Sequence, residues 1–307
     1  MSRPFTQALR ASPLFFEPVP PSARISPDRV EHQTAAVVDV IRSLPRVDAI
    51  NIPELVDENH EGKPYYRSGD VRGYAHHIAQ RTGRAVVVNK VVAHLPDAEA
   101  LARWCEESIT MGITHFVFIG GSSRYIPYPG PPVVEANRLG RPIVARSGGH
   151  LGNVAIPQRT GEAHRMLGKT KAGASFFTTQ ILFDSEGIIK VLREYARLCH
   201  TAAIAPAPVL LSLAPVVDEG DVEFVRWLGA DLPESAERQI LGDGSSDGTV
   251  AAERSIARAL EVLAEVADAF RHSEHPVPFG ANVEQISIRH LAHAASMAAV
   301  IADQLPH

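Results

Sequence analysis

Short runs of apolar, often β-branched residues alternate along this chain with longer stretches whose apolar positions recur every three or four residues. The short runs fall at 14–19, 47–52, 85–92, 114–120, 142–146, 175–182, 208–213 and 277–281, and predict eight strands. The longer stretches at 29–44, 98–111, 161–172, 187–198, 222–228, 249–270 and 286–304 predict helices. Strands that follow one another through helices run parallel, and runs that are apolar throughout are buried on both faces. Eight of them predict a (β/α)8 TIM barrel forming a single domain over 1–307, because closure removes both sheet edges. An open doubly wound sheet is the alternative. Its Rossmann form is disfavoured, since no Gly-x-Gly-x-x-Gly follows the first strand.

Three polar excursions interrupt the alternation, at 51–69, 122–132 and 241–248. The first two follow strands, and in a barrel the loops after strands build the active face. The third, with its Gly-Asp-Gly-Ser-Ser-Asp-Gly run at 242–248, reads as a solvated connector between helices. It lacks the acidic residue that closes an EF-hand loop.

Composition narrows the partners. At 307 residues and 45% hydrophobic content the chain can bury a large core, and a formal charge of -5 supplies no field for gripping a phosphate backbone. A small molecule is therefore expected, rather than nucleic acid. No run approaches the ~20 apolar residues of a membrane span, and the opening MSRPFTQALR lacks the apolar core of a signal peptide, so a cytoplasmic protein is expected. Cys105 and Cys199 lie far apart in helical patterns and suggest neither a disulfide nor a zinc site. Among the histidines, His290 and His293 stand three apart and His76 and His77 are adjacent. Neither pair has an evident third ligand, so both read as helix-surface histidines and no metal is expected.

The first strand ends in Phe16-Glu17-Pro18-Val19-Pro20-Pro21, which sets a carboxylate among phenylalanines and prolines at the mouth of the expected barrel. Desolvation there raises a carboxyl pKa, and an acid still protonated near neutrality can open a cyclic aminal to an iminium ion. A barrel-end glutamate paired with an arginine is the plainer account. Asn51, Asn89 and Asn282, also on strand ends, each offer a donor and an acceptor near the same mouth.

The Phe16-Glu17 pair followed by Pro20-Pro21 resembles the opening strand of the methylenetetrahydrofolate reductase family. Residues 169–184, Lys-Thr-Lys-Ala-Gly-Ala-Ser-Phe-Phe-Thr-Thr-Gln-Ile-Leu-Phe-Asp, are similar to that family's passage from helix five into strand six. Looser agreement runs through 47–51, 116–121 and 279–282. The resemblance implies that Glu17 is a general acid and that Gln180 contacts the pterin, and Asn282 and Ser122 are candidate folate contacts beside them. It also implies a lysine near flavin phosphates at Lys169.

Two departures bear on the cofactor. Where the family carries Arg-Gly-Asp after strand four, this chain reads Gly120-Gly121-Ser122, so Ser122 stands where an aspartate faces flavin and pterin. After the fifth expected strand, Ser147-Gly148-Gly149-His150 replaces a tyrosine followed by proline. The loss of both contacts makes FAD doubtful. It suggests direct hydride transfer from NADH or NADPH, with Asn51, Asn89, Gly120, Gly121, Ser147, Gly148, Gly149 and Lys169 as candidate nucleotide contacts. The expected reaction is reduction of 5,10-methylenetetrahydrofolate to 5-methyltetrahydrofolate. An FAD-dependent version and a non-redox pterin-binding or methyl-transfer protein are the alternatives.

Overall fold

The computed structural model describes residues 3–123, 125–242 and 248–305. A four-residue helix α1 (Phe5–Ala8) precedes strand β1 (Leu14–Glu17), helix α2 (Pro27–Ser43) and strand β2 (Ala49–Ile52). A small hairpin of β3 (Val56–Glu58) and β4 (Pro64–Tyr66) then leads to α3 (Val71–Thr82) and β5 (Ala85–Val91). Next come α4 (Ala98–Thr110), β6 (His115–Ile119), α5 (Val133–Arg146), β7 (His150–Ala155), α6 (Glu162–Lys171), β8 (Phe176–Thr179) and α7 (Glu186–Thr201). The chain finishes with β9 (Val209–Leu213), α8 (Glu219–Trp227), α9 (Glu234–Leu241), α10 (Gly248–Phe270), β10 (Phe279–Glu284) and α11 (Leu291–Gln304).

Eight strands close in the order β1-β10-β9-β8-β7-β6-β5-β2, every pair parallel, so the expected TIM barrel is observed and the open sheet is excluded. Successive side chains on a strand alternate between the helices and the barrel interior. Outward residues such as Leu14, Phe16, Ile50 and Val88 join the large core beneath the helices. Inward residues Phe15, Ala49, Val87, Val117, Phe176 and Leu210 form a separate apolar layer with Phe5 and Leu9 of the N-terminal segment. Helix α1 thus plugs the barrel at the end where the strands begin. The Phe5 ring stacks on His115 with centroids 3.8 Å apart, and Thr6 Oγ1 lies 2.9 Å from His150 Nε2. Burial, with His150 nearby, pulls the His115 imidazole down to about 3, so it stacks as a neutral ring.

One expected strand is corrected. Residues 142–146 are the last turns of α5, with Pro142 inside the helix, and the fifth barrel strand is β7 instead. A Cβ on Gly152 of β7 would meet the Phe176 ring at 2.4 Å, while Asn153 faces outward and bonds Asn137 of α5 at 2.7 Å. This strand is therefore set by tertiary fit and not by β propensity. The polar excursion at 51–69 contains the hairpin, and the connector expected at 242–248 falls largely outside the described residues. Both cysteines are free and buried. No helix among the described residues is long and apolar enough to cross a membrane.

Candidate functional site at the barrel mouth

Above the apolar interior layer, at the end where the strands finish, the inward positions turn polar. Glu17 ends β1, and its main-chain oxygen accepts from Gln285 N at 2.8 Å, just past the end of β10. Its Oε2 accepts from Asn51 Nδ2 of β2 at 2.5 Å and from Asn282 Nδ2 of β10 at 2.8 Å. The same Asn282 amide lies 3.1 Å from Ser212 Oγ on β9 and 3.2 Å from Glu284 Oε1. Register sets Glu17 directly opposite Glu284, so two carboxyls share one amide donor deep in the mouth. Among the described residues no arginine pairs with Glu17 to make it an ordinary ion pair.

Burial is the largest influence on Glu17 and pushes its pKa up to about 7, against the two asparagine hydrogen bonds that favour the anion. Glu284 is raised well above the ordinary carboxylate range, first by burial and then by the charge of Glu17. Two carboxyls this close titrate as a pair, and near neutrality the pair retains a proton. That meets the requirement for a general acid, and Glu17 keeps partial access to solvent from the mouth.

The asparagines carry a second message. Asn51 and Asn282 are wholly buried and Asn89 nearly so, yet their Oδ1 atoms have no hydrogen-bond partner among the described residues. A buried acceptor left unpaired costs about 1–3 kcal/mol, and three of them on the inner wall above the apolar layer favour a ligand rich in N–H donors.

Beside this centre lies a second polar cluster. Ser122, after β6, donates from Oγ to Glu58 Oε2 at 2.6 Å, Tyr128 donates to the same oxygen at 2.5 Å, and His94 Nε2 is 2.8 Å from Oε1. Burial pushes Glu58 up, but these three hydrogen bonds outweigh it and hold the carboxyl below its ordinary value. Lys90 pairs with Glu54 at 2.5 Å close by. A cleft of about 320 Å³ adjoins the mouth between the loop after β1, α2 and the start of α3. Pro20, Pro21 and Val71 line it together with Ser68 and Tyr74, whose buried hydroxyls have no partner among the described residues.

The structure thus brings Glu17, Asn51, Asn89 and Asn282 together and adds Glu284, missed because the last strand was expected to stop at 281, and Ser212, a lone serine inside an expected apolar strand that carried no signal of its own. Gln180 follows β8 on the same face, but its amide is engaged, with Nε2 donating to Leu228 O at 2.9 Å and Oε1 accepting from Ile181 N at 2.9 Å. Gly120 and Gly121 follow β6 at the same end of the barrel. The absence of a side chain at Gly121 makes room for Tyr128, whose ring would lie 2.1 Å from an added Cβ.

Other expected contacts lie elsewhere. Ser147, Gly148 and Gly149 join α5 to the start of β7, at the plugged end and away from Glu17. The residues that do follow β7 are Ile156-Pro157. Lys169, on α6, reaches β7, donating to Val154 O at 2.7 Å, and pairs with Glu162 at 3.3 Å. His290, expected on a helix surface, is buried.

Solved structures share the whole fold. A protein from Clostridium thermocellum, described as binding two copies of 5-methyl-5,6,7,8-tetrahydrofolic acid, superposes with a TM-score of 0.75 at 18% identity, over 97% of this chain and 98% of that one. A GH113 β-1,4-mannanase superposes with a TM-score of 0.55 at 8% identity, covering 96% of this chain and 99% of its own. At such identities the likeness establishes the barrel alone. No protein-family model and no curated protein matches the sequence.

Proposed function

We propose that the barrel mouth binds a reduced folate and that the protein reduces 5,10-methylenetetrahydrofolate to 5-methyltetrahydrofolate with NADH or NADPH, without a flavin intermediary. The observation that carries this reading is the Glu17–Glu284 pair, protonated near neutrality and ringed by the unpartnered carboxamide oxygens of Asn51, Asn89 and Asn282. The amino and ring N–H groups of a pterin match such acceptors. The Clostridium thermocellum protein, of the same fold, has the product of this reaction as its ligand.

In this reaction Glu17 gives its proton to the nitrogen that leaves the methylene bridge as the five-membered ring opens. The remaining nitrogen and the methylene carbon become an iminium ion. Hydride from the dihydronicotinamide then reaches that carbon and makes the methyl group, and the nucleotide departs oxidised. The adjoining cleft, with its unpaired Ser68 and Tyr74 hydroxyls, is our assignment for the nucleotide. The residues present fit a flavin poorly. Ser122 stands where the family resemblance calls for an aspartate, Ile156-Pro157 gives no aromatic surface where it calls for tyrosine, and Lys169 is held by Glu162.

A folate-binding protein with no redox step is the reading favoured by the neighbour's ligand taken alone. An acid buried in the mouth argues against it, since simple binding gains nothing from a displaced proton affinity. The test is an anaerobic assay of NADH and NADPH oxidation with methylenetetrahydrofolate, on protein of measured flavin content, with Glu17→Gln alongside. Turnover without flavin that disappears in the variant supports the proposal. Turnover only with added FAD replaces it by the flavin version, and no turnover under any condition replaces it by the binding protein.

A further inference from the structure

The loops that follow β9 and β10 meet at a point the reaction above does not use. Asp218 caps α8, with one carboxylate oxygen accepting from Asp221 N at 2.8 Å. Asp221, one turn on and buried, accepts from Val217 N at 2.9 Å through Oδ2. Its Oδ1 lies 3.3 Å from Nε2 of His290, which arrives from the loop after β10 and is 7% exposed. That nitrogen makes no hydrogen bond among the described residues despite the short separation. One ligand atom from each of Asp218, Asp221 and His290 falls within 4.8 Å of the others.

We propose that Asp218, Asp221 and His290 form a site for a divalent transition-metal ion, with Zn²⁺ as the best match. Two carboxylates and an imidazole are a donor set suited to Zn²⁺ or Mn²⁺, and three protein ligands leave a position open. Each aspartate is oriented by a backbone N–H, as metal-ligating carboxylates are by their outer partners. The buried His290 nitrogen, 3.3 Å from Asp221 Oδ1 but without a hydrogen bond, marks the place as more than a helix cap: a capping pair alone has no need of a histidine aimed at it.

An ion there would tie the two loops together. Gln285 belongs to the β10 loop and holds it by donating to Ser287 O and Ile288 O, while its Oε1 accepts from Val19 N. The site would therefore brace the rim on which Glu17 depends, without touching substrate.

The experiment is metal uptake by chelator-treated, desalted protein titrated with ZnCl2 and, separately, MnCl2, for the wild type, Asp218→Ser and His290→Gln. Serine still caps a helix, and Asp218 is exposed, so the first variant keeps its fold. Wild type is expected to retain about one equivalent and to melt higher with the ion. Each variant should bind more weakly by over the ~10–100-fold that loss of an outer-shell partner costs. The chain carries 14 histidines, so the comparison between proteins decides. Uptake well below one equivalent in wild type, or equal uptake in all three, overturns the site.

Discussion

Replacing Glu17 by glutamine should change how stability depends on pH more than it changes stability itself. The amide retains an acceptor for Asn51 and Asn282, so the local hydrogen bonds survive, while the titration is deleted. A carboxyl whose folded-state pKa lies above its unfolded value of 4.5 holds its proton more tightly when folded. Its contribution is therefore fully present below pH 4.5 and is lost as pH rises through about 7. A displacement of that size corresponds to about 3 kcal/mol. Urea denaturation of wild type and Glu17→Gln, run from pH 5 to pH 8, should show wild type losing about that much relative to the variant, with most of the loss before neutrality. Because Glu284 titrates with Glu17, Glu284→Gln should flatten part of the same step and the double variant nearly all of it. A difference between wild type and Glu17→Gln that stays flat within about 0.5 kcal/mol across that range would refute the buried-acid reasoning.

Three further outcomes follow from the geometry. Asn282→Ala removes the amide shared by Glu17, Ser212 and Glu284, and should cost about 1–3 kcal/mol in denaturation while shifting the Glu17 carboxyl-carbon titration in NMR still higher. Phe5→Ala empties the plug and should cost about 3–5 kcal/mol; a loss under about 1 kcal/mol would mean that the barrel end closes without it. Gly148→Ala forces a side chain onto a residue at φ +68° and should cost about 1 kcal/mol, yet leave folate affinity by calorimetry unchanged; weakened binding would return that loop to the site.

Sequence reading found most of the barrel, because strands buried on both faces leave an unmistakable apolar run. It failed at the fifth strand for a physical reason. The run Pro142-Ile143-Val144-Ala145 has strand-like composition but lies on a helix, whereas the true strand, His150-Leu151-Gly152-Asn153-Val154-Ala155, owes its place to Phe176 filling the space at Gly152 and to the pairing of Asn137 with Asn153. Those partners are distant in sequence, and periodicity cannot show them. Glu17 was legible from its apolar neighbours. Glu284 was within reach, since Gly280, Asn282 and Glu284 keep an alternation of two, and extending the strand by three residues would have exposed the pair. The Glu58 cluster joins a hairpin, a turn and a loop, and nothing local announces it.

The plug formed by α1 makes the barrel a vessel with a single door. Whatever rests against Glu17 must arrive before anything seated over it and must leave after it. Traffic through such a dead end is sequential by construction, so a ligand reaching over from the cleft beside α2 and α3 would hold the inner one until it withdrew.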